Sequence, residues 1–175
     1  MSYTPMSDLG QQGLFDITRL LLQQPDLAAL SETLTRLVQQ SALADEAAII
    51  LWNAGNHRAA RYACDEAGHP VSYEDETVLA HGPVRRLLSR PDALHCDHET
   101  FADTWPQLIR SGLYRPFGYY SLLPLAADGR IFGGCEFLRR DNRPWSEKEF
   151  QRLHTFALIV AVVTAQIPKP GSNNV

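Results

Sequence analysis

YYSLLPLAADGRIFGGCEFLRRDNRPWSEKEFQRLHTFALIVAVVTAQI, residues 119–167, runs as strand, tight turn, strand and long capped helix without interruption. Tyr119 to Leu125 is apolar and β-prone, Ala126 to Arg130 holds the turn pair Asp128 and Gly129, and Ile131 to Leu138 is apolar again. Together they predict a β-hairpin. After the polar break from Arg139 to Pro144, Ser146 and Glu149 stand three apart ahead of a periodic apolar run. That spacing lets the Ser146 side chain accept from first-turn amides while Glu149 reaches back, so a helix starts there.

Upstream, Leu14, Ile17, Leu21 and Leu22 recur at helical spacing. Pro25 and Asp26 then break the chain and cap a second run carrying Leu27, Leu30, Leu34, Leu37 and Val38. Ala47 to Trp52 reads as a short apolar strand, and the Asn53 to Asn56 turn with Gly55 leads to a second strand, Arg58 to Cys64. Asp65 to Thr77 is polar and turn-rich, with Gly68 and Pro70, and is expected to be an exposed connection that could serve as a mobile lid. Pro83 opens a short helix ending near Ser89, and Pro91 stops it. Ala93 to Cys96 suits a short strand, His98 to Leu113 a helix interrupted by Pro106, and Gly112 to Gly118 a loop. These elements form a single set, so residues 1–167 are expected to be one domain and 168–175 a truncated linker.

Two helices, a hairpin, small mixed elements, a second hairpin and a long helix define an α+β fold, an α/β/α sandwich. Its central antiparallel sheet is expected to have five or six strands, with Ile131 to Leu138 in the middle. A helical layer covers one face, and short helices and loops cover the other. The formal charge of -4 and pI near 5.8, with scattered basic pairs, argue against direct nucleic-acid contact. No apolar run is long enough for a membrane span. Three widely spaced cysteines, Cys64, Cys96 and Cys135, suit a reducing cytoplasm rather than a disulfide framework.

The segments SLLPLAADGRIFGGCEFL and RPWSEKEFQRLHTFALIVAVV resemble the GAF family of sensor domains, with Pro124, Leu125, Gly133, Ser146 and Glu149 in the places of the family pattern. Within the family, MSYTPMSDLGQQGLFDITR, YEDETVLAHGPVR and IFGGCEF resemble the sensor domains of sigma-54-dependent transcriptional activators that respond to formate. That resemblance implies a non-enzymatic regulatory domain, followed in the full-length protein by an ATPase domain and a helix-turn-helix DNA-binding domain. The chain itself has no G-x-x-x-x-G-K-[ST] loop and no helix-turn-helix pattern after the long helix. GAF domains share no common set of ligand residues, so candidate sites rest on chemistry alone.

Glu136 lies on a strand expected to be central, where burial disfavours a lone carboxylate. It is read either as lining a pocket on the loop-covered face, with Gly134 leaving room for a ligand, or as an ion-pair partner of Arg61 or Arg139. A small anion such as formate needs donors, best supplied by a sheltered bidentate Arg. Arg85 and Arg86, following His81 on the short helix, are candidates, against a plain reading as solvated arginines. Tyr119 and Tyr120 are adjacent on a strand and face opposite ways, one toward the pocket and one into the core. His95, Cys96, Asp97 and His98 have ligand chemistry, but no second cluster accompanies them, so neither a metal nor a cofactor is expected.

On the last helix Phe150, Leu153, Phe156 or Ala157, Val160 and Val163 share one face, and Ile159 with Val162 widens this apolar stripe beyond what one sheet face needs. With Leu14, Ile17 and Leu21 of the first helix they are expected to form a homodimer seam, against burial under the chain's own sheet. Two other functional readings stay open. One is a GAF-type thiol reductase of free methionine sulfoxide, which needs its cysteines to converge. The other is a dimerisation module without a ligand.

Overall fold

The computed structural model describes residues 11–53 and 57–168. The opening decapeptide, the tip of the Asn53 to Asn56 turn and most of the expected linker lie outside the described residues. Helices α1 (Gln11–Leu22) and α2 (Leu27–Gln40) come first. Between them Asp26, in extended conformation, accepts from the Ala29 amide at 2.8 Å and so caps α2. Strands β1 (Glu46–Asn53) and β2 (Arg58–Cys64) follow as an antiparallel pair.

The next stretch departs from the expected exposed connection. Pro70–Glu76 is a strand, β3, paired antiparallel to β2 with Arg61 opposite Tyr73, and it runs into the single turn α3 (Thr77–Ala80). Its sequence PVSYEDE looks like a loop because an edge strand keeps one face in water and carries charge there, while its Pro sits at the first residue, where no ladder donor is lost. Helix α4 (Pro83–Ser89), strand β4 (Leu94–Asp97) and helices α5 (His98–Thr104) and α6 (Pro106–Arg110) then lie close to their expected positions.

Strands β5 (Tyr119–Ala127) and β6 (Arg130–Arg139) close the sheet. Asp128 and Gly129 both take positive φ, 52° and 73°, the combination that matches a two-residue turn to the twist of its strands. The six strands are ordered β3-β2-β1-β6-β5-β4, all neighbours antiparallel, so β1 and β6 join the two hairpins at the centre. At this seam Gly133 is obligatory, since a Cβ there would sit 2.1 Å from the Ile50 carbonyl oxygen.

One sheet face, with Ile49, Leu123, Leu125, Cys135 and Phe137, is covered by α1, α2 and α7 (Glu147–Gln166). The other, with Ile50, Tyr120, Leu122 and Leu138, meets Leu79, Val84, Leu87, Phe101 and Leu108 of α3 to α6. Ser146 and Glu149 form the expected capping box at the start of α7. The expected dimer stripe, however, lies largely inside the chain. Ile17, Leu21, Leu153, Ala157, Val160 and Val163 are buried in its own core, because α1 packs against α7 and α7 packs on β5. Phe150 is half-buried against His95, and of the expected seam Leu14 and Val162 are exposed. Other apolar surface left outside belongs to neighbouring helix positions, among them Phe15 and Leu158.

Candidate functional site

The register places Arg61 opposite Ile50 and Glu136 opposite Ala48, so both side chains rise from the face covered by the short helices, on either side of β1. Ala48 is small enough to let the guanidinium cross. Arg61 Nε donates to Glu136 Oε1 at 3.3 Å and Nη1 to the Leu113 carbonyl at 3.1 Å. The Arg61 Cζ lies 4.3 Å from the centre of the Tyr114 ring, whose hydroxyl donates to the same Glu136 oxygen at 2.8 Å. Burial is the largest influence on Arg61 and opposes its charge, but Glu136, Tyr114, Tyr120 and Glu46 together outweigh it and hold the guanidinium pKa above its usual range. Burial pushes Glu136 up, with Arg61 and the Tyr114 hydroxyl pulling the other way. Among the described residues Glu136 Oε2 and the Tyr120 hydroxyl are buried without a hydrogen-bond partner.

Beside this network lies a cavity of about 230 Å³, lined by Arg61, Leu113, Tyr73, Cys64, Glu46 and Arg115 among others. At one wall Arg115 and Glu46 form a close ion pair, with the side chains 30% and 13% exposed. Arg115 Nη1 is buried and without a partner among the described residues.

The sequence candidates fall into three places rather than one. His81, Arg85 and Arg86 line an open groove of about 400 Å³ together with Ser89, Arg90 and Trp105. None of its lining residues is acidic. There Arg85 Nη1 donates to His81 Nδ1 at 2.9 Å. Glu136 and Tyr120 belong to the buried network on the sheet. Tyr119 faces the other way and meets Trp145 edge-on, ring centres 5.7 Å apart.

One sequence expectation needs correction, and one open alternative is resolved. The space over Gly134 is not free for a ligand, because Leu122 and Leu87 fill it, 2.5 and 3.1 Å from where a Cβ would stand. Of the two arginines considered for Glu136, Arg61 is the partner. Arg139 instead pairs with Glu149, donates to the Leu43, Arg143 and Pro144 carbonyls and lies over the Trp145 ring. Arg61 and Arg115 as cavity donors were missed. The available signal was Arg61 itself, a charge inside the otherwise apolar run AARYAC.

Cys135 lies on the α7 side of the sheet and Cys96 on the opposite side, while Cys64 is half-buried at the cavity. Burial pushes all three thiols up, Cys96 to about 11. They do not converge on one another in the way that attack and resolution require. Among the described residues no group of three or more His, Cys, Asp or Glu side chains could hold a metal ion, and no helix is long and apolar enough to cross a membrane.

The GAF domain family model matches residues 26–163. Over all 175 residues the chain is 71% identical to the formate hydrogenlyase transcriptional activator of Salmonella typhimurium and 69% identical to that of Escherichia coli. It spans 25% of the length of each. Among solved structures it resembles the GAF domain of an Acinetobacter phosphoenolpyruvate-protein phosphotransferase, with a TM-score of 0.65 at 16% identity, covering 91% of this chain and 95% of that one. At that identity the likeness shows the fold alone. The short-helix roof, the six-stranded antiparallel sheet and the match across residues 26–163 make this chain a member of the GAF domain family.

Proposed function

We propose that this GAF domain is a non-enzymatic sensor module of a sigma-54-dependent transcriptional activator, receiving a small carboxylate such as formate and passing the signal to ATPase and DNA-binding domains of the same protein in the cytoplasm. The observation that carries this reading is 71% identity along the whole chain to a protein named formate hydrogenlyase transcriptional activator. Arginines at two concave places on the loop-covered side, Arg61 with Arg115 and Arg85 with Arg86, supply the donors that a carboxylate requires. The separated, high-pKa thiols weigh against the reductase alternative.

A homodimer is part of the same proposal, now through the outer positions of α1 and α7. Leu158 is 69% and Val162 55% exposed, and Phe15 is exposed on the adjoining helix, an apolar set that association would cover. Ligand-dependent change in the geometry of such a dimer would carry the signal.

The deciding experiment is a formate titration of the domain followed by heteronuclear NMR, with acetate and chloride at equal ionic strength as controls. Saturable shifts specific to formate support the sensor reading. Flat spectra at tens of millimolar formate would move sensing elsewhere and leave a ligand-free dimerisation module. Light scattering of wild type and of Leu158→Glu would test the dimer, which should be lost in the variant.

A further inference from the structure

We propose that the cavity between Arg61 and Arg115 is the site of the small monocarboxylate, with the Arg115–Glu46 ion pair as its exchangeable gate; this rests on the sensor reading above.

Size comes first. At about 230 Å³ the cavity is smaller than the roughly 300–1,000 Å³ of pockets that take drug-sized ligands, and holds about eight waters by their share of liquid volume. That suits a ligand of a few heavy atoms.

Its donors come next. The Arg61 side chain is 5% exposed, so its charge acts on a ligand with little solvent screening. Nε is committed to Glu136 and Nη1 to the Leu113 carbonyl, and the side chain also lines the cavity. On the facing wall both bonds from Arg115 to Glu46 go to one oxygen, and they use Nε and Nη2. Arg115 Nη1 is sealed away from this space, so a ligand meets Arg115 at the Nε–Nη2 edge that Glu46 now holds, and a carboxylate oxygen is the acceptor that best satisfies a guanidinium.

The acidic residues around the same cavity set the ligand's charge. Glu46, Asp65 and Glu66 line it, and Glu136 already balances Arg61 from behind. A monoanion on Arg115 displaces Glu46 and adds one negative charge beside Glu46, Asp65 and Glu66, whereas a phosphate dianion adds two, so of the two the site favours the monoanion. The groove at Arg85, Arg86 and Arg90 has the opposite balance, all basic and open to solvent, and so lacks this selectivity.

The test is the formate titration repeated on Arg115→Gln, Glu46→Gln and the groove variant Arg85→Gln/Arg90→Gln, each first checked for a native thermal transition. Arg115→Gln should weaken formate about tenfold or more, the size of one charge-assisted hydrogen bond. Glu46→Gln removes the competing carboxylate and should tighten it. The groove variant should bind as wild type does. Opposite effects at Arg115 and Glu46 would not follow from a shared structural role, since both substitutions break the same ion pair. Wild-type binding with unchanged affinity in Arg115→Gln, or loss of binding in the groove variant, overturns the site while leaving the sensor reading intact. Absence of any formate or acetate binding by wild type overturns both.

Discussion

Arg61 and Glu136 meet at 3.3 Å above strand β1, which pairs with both their strands and separates them in the sheet. Neither side chain has more than 5% of its surface in water. A pair so buried is attractive only while both members are present, because either one alone is an uncompensated charge in a low-dielectric interior. Arg61→Met and Glu136→Leu should each destabilise the domain by about 3–5 kcal/mol, whereas the double replacement should cost clearly less than either single one. Urea unfolding of the four proteins measures this directly. Additive losses would show that the two residues do not act as a unit.

Two adjacent glycines should differ in tolerance. A Cβ at position 133 meets the Ile50 backbone at 2.1 Å, but at 134 it meets only the ends of the Leu122 and Leu87 side chains. Backbone at the β1–β6 seam cannot retreat without breaking the ladder between the hairpins, while leucine tips can rotate. Gly134→Ala should cost about 1–3 kcal/mol, as overpacking does, and Gly133→Ala more. Thermal denaturation of both variants should rank them in that order; equal losses would contradict it.

Glu149 couples the start of α7 to acid stability. Burial alone would raise its pKa, but the Ser146 amide and hydroxyl and the Arg139 guanidinium outweigh burial and hold it below the usual carboxylate range. A depressed folded-state pKa contributes stability above the unfolded value, and that contribution is lost as pH falls through the folded value. The difference in melting temperature between wild type and Glu149→Gln should therefore be largest near neutrality and shrink below pH 4 or so, the ordinary range of a carboxylate. A gap that stays constant down to pH 3 would exclude this linkage.

His95 should remain neutral in mildly acid solution. Its Nδ1 is 2.9 Å from the Ser121 hydroxyl and its ring packs on Phe150 with centres 3.9 Å apart. Burial, then the charges of His154 and Arg86, lower its pKa to about 4. The unfolded chain takes up this proton near pH 6.5, so stability should fall as pH drops from about 6.5 toward 4. NMR titration of the imidazole checks it: the His95 ring resonances should stay still between pH 7.5 and 5.5, and a midpoint above 6 would refute the assignment.

Elements whose causes lie within a few residues are legible in the local sequence. Asp128-Gly129 specifies its turn, Ser146 and Glu149 cap α7, Asp26 caps α2, and Pro83 opens α4. These rest on φ preferences and on amide donors that a neighbour three residues away satisfies. The order of those elements was enough to place β6 at the centre, and the motif residues Pro124, Leu125, Gly133, Ser146 and Glu149 carried the resemblance to the family. Strand β3 escaped notice because an edge strand reads as polar, and its existence depends on β2 lying alongside.

Tertiary structure alone decided which surfaces and side chains meet. The α7 stripe looked wide enough for a partner, but how much of it the chain's own sheet and α1 cover depends on how the helices pack. That Tyr119 and Tyr120 face opposite ways follows from the pleat, but which of them joins Glu136, and that His81, Arg85 and Arg86 line a separate open groove, depends on the packing of the roof. Arg61 and Glu136 are 75 residues apart, and only the β1–β6 seam brings their strands to either side of β1. Sequence periodicity tells which residues share a face of one element; which donors then converge on one cavity is fixed by strand register, a long-range property that no local pattern encodes.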